Sequence, residues 1–250
     1  MVLGAGGKSE QGWRSGGRAQ RARSSTRTVR RLLFACAVLA SLGGSSAVGL
    51  AAGLAPSIAG LSQPRADSLD VPISGDARRV EEWVLRSGDN HRSPFMIVDK
   101  ANARMFIFAP NGALMGDAPV LLGLARGDDS PPGIGNQPLA SIRPADRITP
   151  AGRFEAAFGR NLAGQDILWV DYLAAISVHR ASDLKPGLSV ASRLARLASA
   201  TPADNRISHG CINVSDAVFD HMIRPAFAGG SGVVYVLPET RSVHDEFPAV

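Results

Sequence analysis

Cysteine is almost absent from this sequence: Cys36 and Cys211 are the two in 250 residues. Cys36 lies in an apolar N-terminal segment, so the rest of the chain cannot form an intramolecular disulfide. No second thiol stands near Cys211 to complete a usual zinc pattern. Aromatic residues make up only 6% of the chain. They are not interleaved with basic residues, and no RNA- or DNA-binding motif is present, which excludes nucleic acid from the expected partners. Between Arg31 and Arg65 there is no Asp, Glu, Lys or Arg. No internal repeat is found.

The charge that is present lies unevenly. Eight of the 27 Lys and Arg, but one of the 22 Asp and Glu, precede residue 32. The formal net charge of +5 therefore belongs to the N-terminal arm, and the remainder is near neutral. The uncharged run LLFACAVLASLGGSSAVGLAAGLAPSIAGLSQP follows that arm as a secretory signal or a membrane anchor does. Residues 32–55 are long enough to span a bilayer, which takes roughly 20 apolar residues. The Gly, Ser and Ala from Gly43 onward equally suit a cleaved signal, with Ser45-Ser46-Ala47 or Gly49-Leu50-Ala51 as cleavage sites. Both readings export residues 66–250 to the cell envelope or periplasm, with the inner membrane as a partner through the N-terminal segment. The expected organisation is a basic cytoplasmic arm (1–31), a signal peptide or transmembrane anchor (32–60), a linker (61–75), a folded domain (76–240) and a tail (241–250). The exported part then keeps one thiol where oxidation threatens it, which favours a chemical use for Cys211 over packing.

The pattern in the folded part predicts a mainly β domain with a few helices. Asp76 is placed to cap a short helix through about Leu85. FMIVD (95–99) and ARMFIFA (103–109) read as strands, with a turn at Pro110-Asn111-Gly112 and a further strand segment in ALMGDAPVLLGLA. Residues 126–152 read as a long loop rich in Gly, Pro and Asp. RFEAAFG, DILWVDY and AAISVHR follow as strands. In the last of these Ile176 and Val178 share one face, and Ser177 and His179 the other. VASRLARLASA (190–200) has Val190, Leu194 and Leu197 at helical spacing. This predicts a short helix with those residues on the domain and Arg193 and Arg196 turned outward. Ser215 is a good N-cap for a helix over 216–224, stopped by Pro225. GVVYVLP is the final strand.

The candidate chemistry lies in RISHGCINVS (206–215). A thiolate nucleophile needs a depressed pKa, a base or cation beside it, and donors for the oxyanion. Gly210 lets the chain turn tightly, so that backbone N–H groups near Cys211 can point at one spot. His209 stands two residues from the thiol. His179, at the end of a strand, is the other base that sheet topology can bring to the same rim. A metal site built on His209, Cys211 and His221 is the competing reading, although the spacing does not match the usual zinc patterns.

Ser208-His209-Gly210-Cys211-Ile212-Asn213 resembles the signature of the L,D-transpeptidase (YkuD-like) family of bacterial cell-wall enzymes. The resemblance covers roughly residues 94–238. It extends to Ile97-Val98-Asp99, the strand pair around Asn111-Gly112, and Thr149-Pro150-Ala151-Gly152-Arg153-Phe154. It implies a β-sandwich-like catalytic domain acting on peptidoglycan stem peptides, without cofactor or metal. By the same resemblance, Cys211 is the nucleophile and His179 the general base. His209 and Gly210 shape the oxyanion region, and Ser208 and Asn213 brace the loop or hold substrate. Such an enzyme forms 3→3 crosslinks through an acyl-enzyme. Hydrolysis by the same chemistry (a carboxypeptidase or an endopeptidase) and a non-catalytic wall-binding domain are the alternatives. One departure stands out: residues 180–207 make a longer gap between the His and the signature than is common in the family. Either the extra length is a flap over the site, with Arg193 and Arg196 for stem carboxylates, or it is a surface excursion.

Overall fold

In the computed structural model, residues 72–183 and 189–250 are described. The expected arm, signal or anchor, and most of the linker lie outside them. Helix α1 (Gly75–Ser87) opens the described chain. Its N-cap is Ser74, whose side chain accepts from the Ala77 N–H, and Asp76 sits inside the first turn rather than capping it. Ser74 meets the capping geometry because it is extended while the next residue is already helical. Gly88, in the left-handed conformation, ends the helix.

Strands β1 (Phe95–Asp99), β2 (Arg104–Phe108) and β3 (Leu114–Pro119) form the expected antiparallel meander, followed by the short β4 (Leu122–Gly123). The Gly- and Pro-rich segment after β4 has three short 3-10 turns, at Ile134–Asn136, Leu139–Ser141 and Pro144–Asp146. A second antiparallel meander is β5 (Gly152–Arg160), β6 (Asp166–Asp171) and β7 (Ile176–Arg180). Helix α2 (Val190–Leu197) precedes β8 (Arg206–Ser208) and β9 (Ile212–Val214). Helix α3 (Asp216–Val218), capped by Ser215 as expected, runs through a π-turn at Phe219–Ile223 into α4 (Arg224–Ala226). Pro225 therefore does not stop the helix. The π-turn just before it widens the coil where the proline ring would otherwise meet the preceding turn. Strand β10 (Ser231–Val236) and helix α5 (Val243–Glu246) complete the chain.

Eight strands form one mixed sheet in the order β3-β2-β1-β10-β5-β6-β7-β9, and β4 pairs with β8. The two meanders are joined by β10, which runs parallel to β1 and antiparallel to β5. The sheet curls. Met96, Val98, Met105 and Ile107 from one end pack in the same cluster as Val178, Ile212 and Val214 from the other. The fold is thus mainly β with few helices. On the opposite face, α1 covers the β1–β2–β10 end through Val80 and Val84 against Phe95, Ile97, Phe106 and Tyr235. Val243 and Phe247 join that second core, so residues 241–250 pack into the domain instead of trailing from it. Among the described residues no helix is long and apolar enough to cross a membrane.

Candidate active site

Two neighbouring strands set the site. Strand β9 runs parallel to β7, with Val178 opposite Ile212 and His179 opposite Asn213. Alternation puts Val178 and Ile212 into the core, and so turns Ser177, His179, Cys211 and Asn213 to the other face. The contacts agree. Asn213 Nδ2 lies 3.0 Å from His179 Nε2, and Ser177 Oγ lies 3.7 Å from Cys211 Sγ. The sulfur also lies 3.5 Å from the carbonyl oxygen of Ala175, a non-glycine residue at φ 57°.

The loop carrying Cys211 is held by two hydroxyls. Ser208 Oγ donates to the Cys211 carbonyl at 2.6 Å and accepts from the Gly210 N–H at 3.0 Å. Thr149 Oγ1 donates to the Gly210 carbonyl at 2.7 Å and accepts from the Gly123 N–H at 2.8 Å. Gly210 has φ 130°, and a Cβ there would lie 2.7 Å from the Ile148 carbonyl oxygen, so only glycine fits. Beneath this loop Lys100 is fully buried. Its ammonium donates to the Thr149 carbonyl at 2.9 Å, to Asp128 at 2.8 Å and to the Gly127 carbonyl at 2.6 Å. Arg206, at the start of β8, pairs with Glu239 and donates to the Lys100 carbonyl at 2.8 Å. A compensated set of buried charges therefore anchors both the Thr149 segment and the strand leading to the cysteine. Burial raises Asp128, but bonds from Lys100, Thr240 and the Glu239 and Thr240 N–H groups outweigh it and hold the carboxyl below its usual range.

The electrostatics couple His179 to Cys211. Burial opposes charge on both. For the thiol, the hydrogen bond and positive charge of His179, with bonds from Ser177, more than offset burial and lower its pKa. For the imidazole, the bond and negative charge of Cys211, with the Arg180 carbonyl and Asp183, raise it. Both shifts favour a thiolate–imidazolium pair. His179 Nδ1 lies 3.0 Å from the Arg180 carbonyl oxygen. A carbonyl only accepts, so Nδ1 carries a proton, and Nε2, which faces the Asn213 amide, is the nitrogen that can gain or lose one. His209 is half-buried, and burial and the charge of Arg147 lower its pKa. It lines the same cavity as Cys211.

That cavity, about 50 Å³, is walled by Ile134, Gln137, Leu139 and Ile142 of the 3-10 segment and by Ala174–Ile176 of the β6–β7 turn. A larger one, about 360 Å³, shares Ser130, Ile134 and Ala174 with it and extends to Asp129, Phe154 and Asp171. The segment 130–142, read from sequence only as a loop, thus forms one wall of the site.

The expected substrate-binding residues fall elsewhere. Ser208 and Asn213 are buried and hydrogen-bonded within the protein, so they brace the loop and the histidine. Arg193 is turned inward, 7% exposed, and donates to the Ala181 carbonyl at 3.2 Å. Arg196 donates to the Asp204 carbonyl at 2.6 Å. Leu197 packs with Leu121 and Ala181, while Val190 and Leu194 face outward. The expected helix face is therefore rotated. A short helix can bury the stem of an arginine as readily as a leucine when a carbonyl meets its head group. Neither arginine lines the cavity around Cys211. Ser177 and the Ala175 carbonyl are the contacts sequence reasoning did not assign, although Ser177 was visible on the His179 face. Among the described residues, no group of three or more His, Cys, Asp or Glu side chains is placed to hold a metal.

No protein-family model and no curated protein sequence matches this chain. Solved structures do resemble it. A C442S mutant of the Enterococcus faecium L,D-transpeptidase is 19% identical, with a TM-score of 0.32, covering 58% of this chain and 50% of that one. The helical cell shape determining protein Pgp2 from Campylobacter jejuni is 14% identical, with a TM-score of 0.39, covering 65% and 56%. An L,D-transpeptidase from Mycobacterium smegmatis is 14% identical, with a TM-score of 0.31, covering 58% of each. The chain spans about half the length of the first of these. A likeness of this degree carries nothing about chemistry, which rests on the side chains described above.

Proposed function

We propose that the chain is a peptidoglycan L,D-transpeptidase with Cys211 as nucleophile and His179 as general base. The observation that carries it is the placement of His179 beside Cys211 on one sheet face, with mutual pKa shifts toward the ion pair. The SHGCIN signature supplies the substrate class by resemblance. In the first step the Cys211 thiolate adds to the carbonyl of the third stem residue. The C–N bond to the terminal D-alanine breaks, and His179 returns its proton to the departing amine. This leaves a thioester. In the second step the side-chain amine of another stem attacks the thioester, His179 takes its proton, and the thiolate leaves. The product is a 3→3 crosslink, and no cofactor enters. The Gly210 N–H is engaged by Ser208, so the oxyanion falls to other N–H groups of the loop, that of Cys211 among them.

The test is mass spectrometry of purified full-length protein incubated with disaccharide-tetrapeptides. The expected result is an acyl adduct on Cys211 and crosslinked dimers. Tripeptide products without dimers would move the assignment to hydrolysis by the same site. No adduct and no product would overturn it.

A further inference from the structure

The fold withholds His179 from the space in front of the sulfur. It is 6% exposed and lines neither of the two cavities at the site. Its Nδ1 meets the Arg180 carbonyl and its Nε2 the Asn213 amide. His209 is placed the other way. It is half-buried and lines the small cavity together with Cys211. Among the described residues nothing hydrogen-bonds to its ring. Its place on the loop is fixed all the same, because the Ser208 and Thr149 hydroxyls tie down Gly210 and the Cys211 carbonyl beside it. Burial and the charge of Arg147 lower its pKa, so at neutral pH the ring is uncharged and one nitrogen is an unoccupied acceptor. One thiol therefore has two imidazoles, one buried in the sheet and one open to the cavity.

Transfer of the acyl group to an amine has work for both. An alkylamine with the ordinary pKa of about 10.4 arrives as ammonium, with only ~0.04% of it free at pH 7. Of the three protons on that nitrogen the new amide keeps one, so two must leave, and His179 accounts for one of them. We infer that His209 is the catalytic base for the other, taking the first proton from the acceptor ammonium before the nitrogen attacks the thioester. This role rests on the function proposed above and names the group that prepares its acceptor. Charge and protons balance: ammonium, thioester and two neutral imidazoles give the amide, the Cys211 thiolate and two imidazolium ions, and His209 then releases its proton to solvent. The small cavity suits the transfer. Its volume of about 50 Å³ is several times what one water needs, ~10–15 Å³, which leaves room for the end of an alkyl chain. Its walls are largely Ile134, Leu139, Ile142 and Ile176, with no carboxylate among the lining residues. Burial against such walls and the nearby positive charge both lower the pKa of an ammonium, by up to about 3–5 units when burial is complete, and so bring it towards that of an imidazole.

The test gives the full-length protein, acylated by a disaccharide-tetrapeptide, two acceptors: a stem peptide with its side-chain amine, and the same peptide with an aminooxy group in place of the amine. An aminooxy nitrogen is already uncharged at neutral pH and has one proton to lose instead of two. The quantity read, by mass spectrometry, is the ratio of amine to aminooxy transfer, in which any general effect on the thioester or the oxyanion cancels. His209→Gln and His209→Asn should each lower that ratio about 100-fold, the lower end of what a general base contributes. An unchanged ratio, whether both rates fall together or neither does, would overturn the role. The native chain supplies a second reading that needs no variant. With His209 taking the proton, the ratio should stay nearly level from pH 7 to 9, whereas an amine that must arrive already free makes it rise about tenfold per pH unit, and that rise would equally refute the role. Failure of the functional reading is seen separately, as the absence of any Cys211 adduct in the native chain.

Discussion

Removing His179 should raise the apparent pKa of Cys211 and slow its reaction with a small alkylating reagent at neutral pH. In the native chain the imidazolium offsets the burial of the sulfur, and the thiol titrates below its ordinary value. Without the imidazole, burial acts almost alone and pushes the thiol up. An unperturbed thiol, with a pKa of about 8.5, is only ~3% thiolate at pH 7. Each unit by which the substitution raises the thiol pKa lowers the thiolate fraction, and with it the alkylation rate at pH 7, by up to about tenfold. His179→Gln is the better variant, since it leaves Asn213 a polar neighbour while removing the charge.

The pH profile sharpens this. In the native protein the rate should rise as pH passes the lower apparent pKa of the pair and then hold a plateau while the thiolate faces a charged imidazole. The sign for stability follows from the same shifts. The lowered thiol contributes stability above its unfolded pKa, and loses it as pH falls through the folded value. The raised imidazole contributes below its unfolded pKa, and loses it as pH rises through the folded value. The assay is iodoacetamide labelling from pH 5 to 9, with the Cys211 peptide quantified apart from Cys36. A His179→Gln profile that superimposes on the native one would refute the pairing.

Cys211→Ala should abolish turnover while the thermal midpoint moves little, as read by product mass spectrometry and calorimetry. Thr149→Val removes one hydroxyl from two buried backbone groups, the Gly123 N–H and the Gly210 carbonyl. It should cost about 1–3 kcal/mol in urea unfolding and reduce Cys211 acylation in parallel. Replacing Arg196, whose head group is exposed, should change stability by less than about 0.5 kcal/mol, whereas buried Arg193→Ala should destabilise measurably in the same assay. By resemblance to the family, a carbapenem should add its mass to Cys211, and intact-mass measurement of the native and Cys211→Ala chains would show whether the adduct needs that thiol.

The legibility of this protein was uneven for physical reasons. Period-two alternation in AAISVHR places Ser177 and His179 on one face, because alternation is a local property of extended backbone. The turn before Cys211 is legible for a similar reason: Gly210 reports a backbone conformation that few other residues adopt. Other features depended on contacts far apart in sequence. Lys100 meets Asp128 and Thr149 and is wholly buried, and the partners that compensate its charge arrive from other segments. The rotation of α2 was hidden because Val190, Leu194 and Arg193 all suit a short helix, and the acceptor that draws Arg193 inward belongs to Ala181. The wall formed by 130–142 was hidden because a loop rich in Gly and Pro carries no periodicity to say which side faces the protein.

The long gap between His179 and Ser208 also has a simple physical reading once β7 and β9 are neighbours. Their register, not the intervening chain, sets the distance between His179 and Cys211, so the gap can lengthen without moving either. Asn213 ties that register to the histidine. Its backbone is fixed by two hydrogen bonds to Leu121, at 2.8 and 2.9 Å, and its side chain reaches His179 Nε2. With Nδ1 turned to the Arg180 carbonyl, a neutral ring needs a donor at Nε2, and the Asn213 amide N–H supplies it. When Nε2 carries a proton, it is a donor instead. The Asn213 Oδ1, buried with no donor among the described residues, is then available by a half-turn of the amide. A leucine there could serve neither state, and an ionised aspartate could serve only the charged one. The amide can meet both, which keeps the imidazole in one place while its proton comes and goes.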